Sequence, residues 1–95
     1  MPFNMDYVMD KIFISNQIKL EILKICGHPI SKPYNLPGSL RLYDLNYNDK
    51  KNLCRILEQK LQEIAVHYQT GKIILNGDLS QQHTVNECIK LVFAS

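Results

Sequence analysis

The sequence has no tryptophan, only four glycines and three cysteines, and no long run of hydrophobic residues. Its longest apolar stretches, such as residues 12–14 and 91–94, are far shorter than the roughly 18 to 20 residues that a membrane-spanning helix needs. The first ten residues already include two aspartates and lack the basic leader of a secretory signal. From these absences we expect a cytoplasmic protein that makes no use of a membrane.

Neither sign of charge dominates the chain. Eleven basic and nine acidic residues give a formal net charge of +2, well below the excess expected of a dedicated nucleic-acid binder. The three cysteines, Cys26, Cys54 and Cys88, are an odd number at wide spacing, which argues against a disulfide framework. We therefore expect reduced thiols, buried as small apolar side chains.

Catalytic and metal-binding motifs are scarce as well. The Gly71-Lys72 pair lacks the other residues of a phosphate-binding loop, and no paired carboxylates stand out. Structural zinc sites present their ligands as close pairs, whereas the nearest pair here is Cys26 and His28 with one residue between them. We expect no enzyme, no cofactor and no metal, with a thiol or metal site around Cys26 and His28 as an alternative.

The residues that are present predict a small domain rich in helices. Hydrophobic residues make up 45% and charged residues 21% of the 95 residues, as in an ordinary soluble domain. Apolar residues recur at helical spacing in four segments. The predicted helices span residues 5–14, 16–26, 48–69 and 79–94.

Two segments leave open questions. In residues 16–26, Ile18, Leu20 and Ile22 alternate as in a strand, although a helix from Asn16 that ends before Gly27 fits the start and stop signals better. Residues 27–39 hold three prolines and two glycines, which predicts a loop. That loop is either a binding surface or only a connection.

Two short strands complete the predicted fold. Residues 40–44 alternate apolar and polar side chains, and residues 72–75 form a short apolar run between turn residues. These strands could pair with each other. The expected fold class is therefore α+β and mostly helical, with a small two-stranded sheet in a single domain of residues 1–95, and all-α is the alternative.

Amphipathic helices and a proline-rich loop are typical of proteins that act through contacts with other proteins. We expect a non-catalytic adaptor, regulator or chaperone-like protein that binds a partner and forms a homo-oligomer. Aromatic and loop residues dominate interface energetics. The predicted contact residues are Tyr34, Leu36, Tyr43, Tyr47 and Tyr68.

A DNA-binding regulator is the alternative function. Two short helices followed by a longer one are similar in outline to the helix order of a helix-turn-helix protein. In this interpretation Lys50, Lys51 and Arg55, at the start of the long helix, would contact nucleic acid. The long proline-rich loop argues against it, because it separates the helices that such a motif keeps close.

Overall fold

The computed structural model describes residues 7–30, 32–47 and 49–93 of the chain. Within these ranges the fold is mostly helical, as predicted, and contains no strand or sheet. The ends of the predicted helices at residues 5–6, 48 and 94 lie outside the described residues. The helices are α1 (Tyr7–Cys26), α2 (Leu42–Leu45), α3 (Leu53–His67) and α4 (Val85–Val92), with a 3-10 turn at Pro33–Asn35.

Helix α1 is continuous where the sequence predicted two helices. Its buried side chains Ile14, Ile18, Ile22 and Cys26 recur every four residues, so the apolar stripe passes straight through the predicted break at Ser15 and Asn16. Serine and asparagine in a helix interior cost only about 0.5 kcal/mol each relative to alanine. Packing of one uninterrupted stripe outweighs that cost.

The end of α1 lies where the sequence placed it. Gly27 has a left-handed φ of 70°, and the backbone N–H groups of Gly27 and His28 both donate to the carbonyl oxygen of Leu23. A glycine takes this conformation without steric cost. The strand alternative for residues 16–26 is wrong.

Helices α3 and α4 are shorter than predicted. Asp49 and Gln69 adopt left-handed φ values of 49° and 55°, which separate the turns on either side of α3 from the helix itself. Helix α4 begins after Thr84, whose hydroxyl accepts from the Glu87 backbone N–H while the Glu87 carboxylate accepts from the Thr84 N–H. This capping box supersedes the predicted start at residue 79.

The predicted two-stranded sheet is wrong. In place of the strand at 40–44, residues Leu42–Leu45 form one helical turn, because Leu42 and Leu45, three positions apart, are both fully buried. Residues 72–75 lie outside any helix or strand, and only Ile74 among their aliphatic side chains is buried. Within the described residues the two segments do not pair, so the fold fits the all-α alternative.

The segment before α2 pairs instead with the turn before α4. Backbone hydrogen bonds join residues 38–43 to residues 81–86, and Arg41 and Thr84 form an isolated antiparallel bridge. The backbone N–H groups in the first turn of a helix have no partner within that helix, and these bonds supply partners at the starts of both α2 and α4. They hold the start of α4 against α2.

The core lies between α1, α3 and α4. The ring of Phe13 near the start of α1 packs on Tyr68 just after α3, while Cys26 at the end of α1 lies near Cys54 at the start of α3. The two helices are therefore antiparallel. Helix α4 packs on both of them, and α2 and the 3-10 turn pack on α1.

Candidate interaction surface

The predicted contact residues lie in different parts of the fold. Tyr34, Tyr43 and Tyr47 each expose 64% of their surface, whereas Tyr68 is half-buried. Leu36 is only 1% exposed and belongs to the core. We therefore leave Leu36 out of any surface proposed below.

The tyrosines do not form one site. Tyr68 packs edge-on against Phe13, with 6.2 Å between ring centroids, at the N-terminal end of α1. Tyr47 packs edge-on against His28, at 4.7 Å, just beyond the C-terminal end of α1. Thirteen helical residues, about 20 Å, separate Phe13 from Cys26 at that other end. Tyr68 and Tyr47 are therefore too far apart to belong to one compact binding site.

A different surface gathers exposed aliphatic side chains. Ile73 and Leu75 are 74% and 62% exposed, on either side of the buried Ile74. Val66, on α3, is 67% exposed. We call residues 71–75 together with Val66 the aliphatic edge. Residues 72–75 were predicted from the sequence as a buried strand. Nothing in that short apolar run indicated that two of its three aliphatic side chains face solvent.

Gln62 of α3 fixes the conformation of this edge. Its Nε2 donates to the carbonyl oxygen of Lys72 at 3.3 Å, and its Oε1 accepts from the backbone nitrogen of Ile74 at 2.6 Å. In an extended chain the C=O of one residue and the N–H two residues later point to the same side. The side-chain amide thus holds residues 72–74 as a neighbouring parallel strand would.

The opposite side of the same segment is unpaired at Ile73, whereas the N–H and C=O of Leu75, on that same side, both bond to Asp78. In an extended chain the N–H and C=O of Ile73 point away from those of Lys72 and Ile74. Neither group of Ile73 has a hydrogen-bond partner in the described part of the chain. Val66 lies one helical turn beyond Gln62 on the same side of α3. The aliphatic edge therefore combines a free backbone edge with exposed apolar side chains.

A second polar residue of α3 anchors the chain beyond the edge. The Oε2 atom of Glu58 accepts from the backbone nitrogens of Gly77 at 3.0 Å and Leu79 at 2.8 Å. Glu58 is 3% exposed, and its Oε1 atom lies 3.5 Å from Nη1 of Arg55 without a hydrogen bond among the described residues. Glu58 and Gln62, one turn apart, together bind residues 72–79 to α3.

The cysteines converge from three helices. Cys26 and Cys88 are buried and Cys54 is half-buried, and all three are free thiols. Burial raises the pKa of Cys26 to about 11 and that of Cys88 to about 12. Burial, with the nearby Glu58 carboxylate, also raises the pKa of Cys54. These thiols stay protonated at neutral pH, which suits packing better than nucleophilic chemistry.

The surroundings of Cys26 and His28 offer little to a ligand. The His28 Nδ1 atom accepts from the backbone nitrogen of Ile30 at 3.3 Å, within the loop that follows α1. Across the described residues, no three or more His, Cys, Asp or Glu side chains are placed to hold a metal ion. The expectation that the protein needs no metal stays a prediction.

One serine–histidine pair was not anticipated from the sequence. Ser80 Oγ lies 3.1 Å from Nδ1 of His83, but the Ser80 backbone nitrogen also donates to Nδ1, at 2.9 Å. Ser80 Oγ in turn accepts from the Gln82 backbone nitrogen. These short-range bonds stabilise the exposed turn before α4, and this structural role explains why Ser80 and His83 lie close together.

The basic residues of the DNA-binding alternative lie at the start of α3. Lys50 and Lys51 precede the helix, and the Asn46 side chain is hydrogen bonded to both the N–H and the C=O of Lys50. Arg55 forms an ion pair with Glu58. The DNA-binding interpretation stays a prediction.

An open groove between α1 and α3, of about 380 Å³, is mostly polar. It is lined by charged side chains such as Glu21, Lys60 and Glu63, and Lys60 pairs with Glu63 at 3.2 Å. Charges that neutralise each other in solvent give little affinity for a charged ligand. We assign no ligand to this groove.

Comparison with protein-family models, with curated proteins and with solved structures gave no match. In the described part of the chain, no helix is both long enough and apolar enough to cross a bilayer. The function must therefore be argued from the chain's own residues.

Proposed function

We propose that the protein is a small non-catalytic adaptor, regulator or chaperone-like protein of the cytoplasm that acts through contacts with another protein, with itself, or with both. The observation that carries this proposal is the aliphatic edge, where Ile73 and Leu75 are largely exposed and Val66 is exposed one helical turn beyond Gln62, which binds the segment. Patches of exposed aliphatic side chains on a small domain are typical of protein-binding surfaces.

The anchoring of the edge supports the same proposal. Because Gln62 and Glu58 bind residues 72–79 to α3, the exposed side chains are presented on a fixed segment. A segment that is already ordered loses less conformational entropy when a partner binds. The three reduced thiols are consistent with a cytoplasmic location.

Site-specific photo-cross-linking in the source cells tests the proposal. A photoreactive amino acid at position 73 should give a discrete cross-linked protein, and the same amino acid at position 82 should not. Gln82 is the control because it is also exposed but lies in the turn before α4. The adduct should disappear when Leu75 is also replaced by serine.

The mass of the purified protein in solution completes this test. A partner adduct or a defined oligomer would support action through protein contacts. A strict monomer that gives no adduct from either position would contradict the proposal.

A further inference from the structure

We propose that the aliphatic edge binds an extended segment of another protein, which pairs with the backbone of Ile73 as an added β-strand. This inference rests on the proposed function and specifies its partner by chemistry. The expected segment is apolar at alternate positions and carries an acidic residue. Strand addition of this kind uses main-chain hydrogen bonds for affinity and side chains for selectivity.

The backbone of Ile73 gives the first argument. Its N–H and C=O are unpaired in the described part of the chain, while Gln62 satisfies the groups of Lys72 and Ile74 on the other side. Ile73 is 74% exposed, so an incoming strand can reach both groups. One residue of that strand can accept from the N–H and donate to the C=O of Ile73, as in an antiparallel pair.

The size of the surface gives the second argument. The exposed side chains of Ile73 and Leu75 on the segment itself offer roughly a few hundred Å². A stable protein dimer usually buries about 800 Å² on each partner. The area of the aliphatic edge suits one short strand rather than a whole folded surface.

Charge decides between a second copy of this chain and another protein. Lys72 is the only charged residue between Gln69 and Gly77, and it forms no ion pair with any described residue. Antiparallel pairing of two copies about Ile73 would place the two Lys72 side chains diagonally on one face, roughly 7 to 8 Å apart. Like charges at that position oppose self-pairing, whereas an acidic residue on a partner strand would attract Lys72.

A peptide titration followed by NMR tests the inference with the intact protein. The probe is a blocked six-residue peptide that alternates valine with threonine and has one threonine replaced by glutamate. We expect saturable shifts confined to the amides of residues 71–75. Methylating the alternate backbone nitrogens that face the edge should weaken binding about tenfold to thirtyfold, because it removes backbone hydrogen bonds.

Two further comparisons sharpen the result. Exchanging the glutamate of the peptide for lysine should weaken binding several-fold at low salt and less at high salt. Ile73→Ser should weaken binding, and Gln82→Ser, at an exposed position in the turn before α4, should leave it unchanged.

Other outcomes would overturn the inference. Absence of shifts, or equal binding of the methylated peptide, would rule out strand addition. Shifts of the same amides on raising protein concentration without peptide would show that a second copy occupies the edge. A cross-linked partner combined with a failed titration would reject this inference while leaving the proposed function intact.

Discussion

The Oε2 atom of Glu58 lies 2.8 Å from the backbone nitrogen of Leu79, and both residues are buried. Replacing Glu58 with alanine leaves the N–H groups of Gly77 and Leu79 without an acceptor. We expect Glu58→Ala to lower the free energy of unfolding by about 1–3 kcal/mol.

Glu63 provides the matched control for this prediction. It lies on the same helix but is exposed and pairs with Lys60 at the surface, so Glu63→Ala should change stability by about 0–1 kcal/mol. Denaturant unfolding gives the two values, and amide hydrogen exchange at Gly77 and Leu79 reports the local loss. Equal effects of the two variants would show that Glu58 does not anchor the segment.

The continuity of α1 predicts the sign of a substitution at Asn16. If Asn16 capped a helix, as the sequence suggested, replacing it with alanine would cost about 1 kcal/mol. In the interior of α1 the same change should instead raise the free energy of unfolding by about 0.5 kcal/mol. Thermal or denaturant unfolding of Asn16→Ala distinguishes these outcomes, and a destabilised variant would argue for two helices.

The break predicted at Ser15 and Asn16 shows where sequence reasoning reaches its limit. Both residues are good caps, and periodicity alone does not reveal whether a cap is used. The capping box at Thr84 and Glu87 was visible in the sequence as a threonine three positions before a glutamate, and it marks the true start of α4. The predicted start at residue 79 overlooked it.

The prediction of two strands failed for a related reason, and the aliphatic edge was missed for the same reason. Leu40 and Leu42 fit an alternating strand, Leu42 and Leu45 fit one turn of helix, and the full burial of Leu42 and Leu45 favours the helix. The burial of Ile74 between two exposed neighbours depends on Gln62, which lies twelve positions away. Tertiary contacts of this kind leave no local pattern in the chain.

The capping box also predicts a pH dependence. The hydrogen bond from the Thr84 backbone nitrogen lowers the pKa of Glu87 below its ordinary value of 4.5. Because the pKa is lowered in the folded protein, the stability contributed by the ionised Glu87 is complete above the ordinary pKa. That stability is lost as the pH falls below the ordinary pKa and through the lowered pKa. Amide hydrogen exchange at Thr84 should accelerate, relative to its neighbours, across that acidic window.

Glu87→Gln is the control for the acid effect. Glutamine can accept the same hydrogen bond without titrating. The variant should keep the capping box and lose its pH dependence, while Thr84→Ala should cost about 0.5–2 kcal/mol at any pH. An unchanged acid response in Glu87→Gln would assign the effect to another group.

The thiols predict a pattern of chemical reactivity. At neutral pH the half-buried Cys54 should react first with a thiol reagent, and Cys26 and Cys88 should react only after unfolding. Labelling followed by mass spectrometry identifies the modified residues. Rapid modification of native Cys26 would support the thiol-site alternative around Cys26 and His28.

The buried thiols of Cys26 and Cys88 should lower the free energy of unfolding at alkaline pH. Burial raises the pKa of Cys26 to about 11 and that of Cys88 to about 12, from an ordinary value of 9.0. The stability that the two protonated thiols contribute is therefore complete below about pH 9. It is lost as the pH rises through their raised pKa values, because the same thiols ionise more readily in the unfolded chain. The stability of a Cys26→Ala/Cys88→Ala variant should fall less steeply with pH. An equal slope would contradict this prediction.

Binding to duplex DNA tests the alternative function. With a net charge of +2 and Arg55 engaged by Glu58, we expect no binding to random duplex DNA at low salt. Fluorescence anisotropy with a labelled duplex measures this. Binding that weakens steeply with salt, and that is lost in Lys50→Ala/Lys51→Ala, would favour a DNA-binding protein instead.

The bridge between Arg41 and Thr84 closes a loop of about 40 residues that contains all of α3. Closing a flexible loop of that length costs about 3 kcal/mol of chain entropy. Helix α3 and its bonds to residues 72–79 are more local and shorten the loop before it closes. We therefore expect α3 and its returning segment to form first, and the backbone pairing between the start of α2 and the start of α4 to form afterwards.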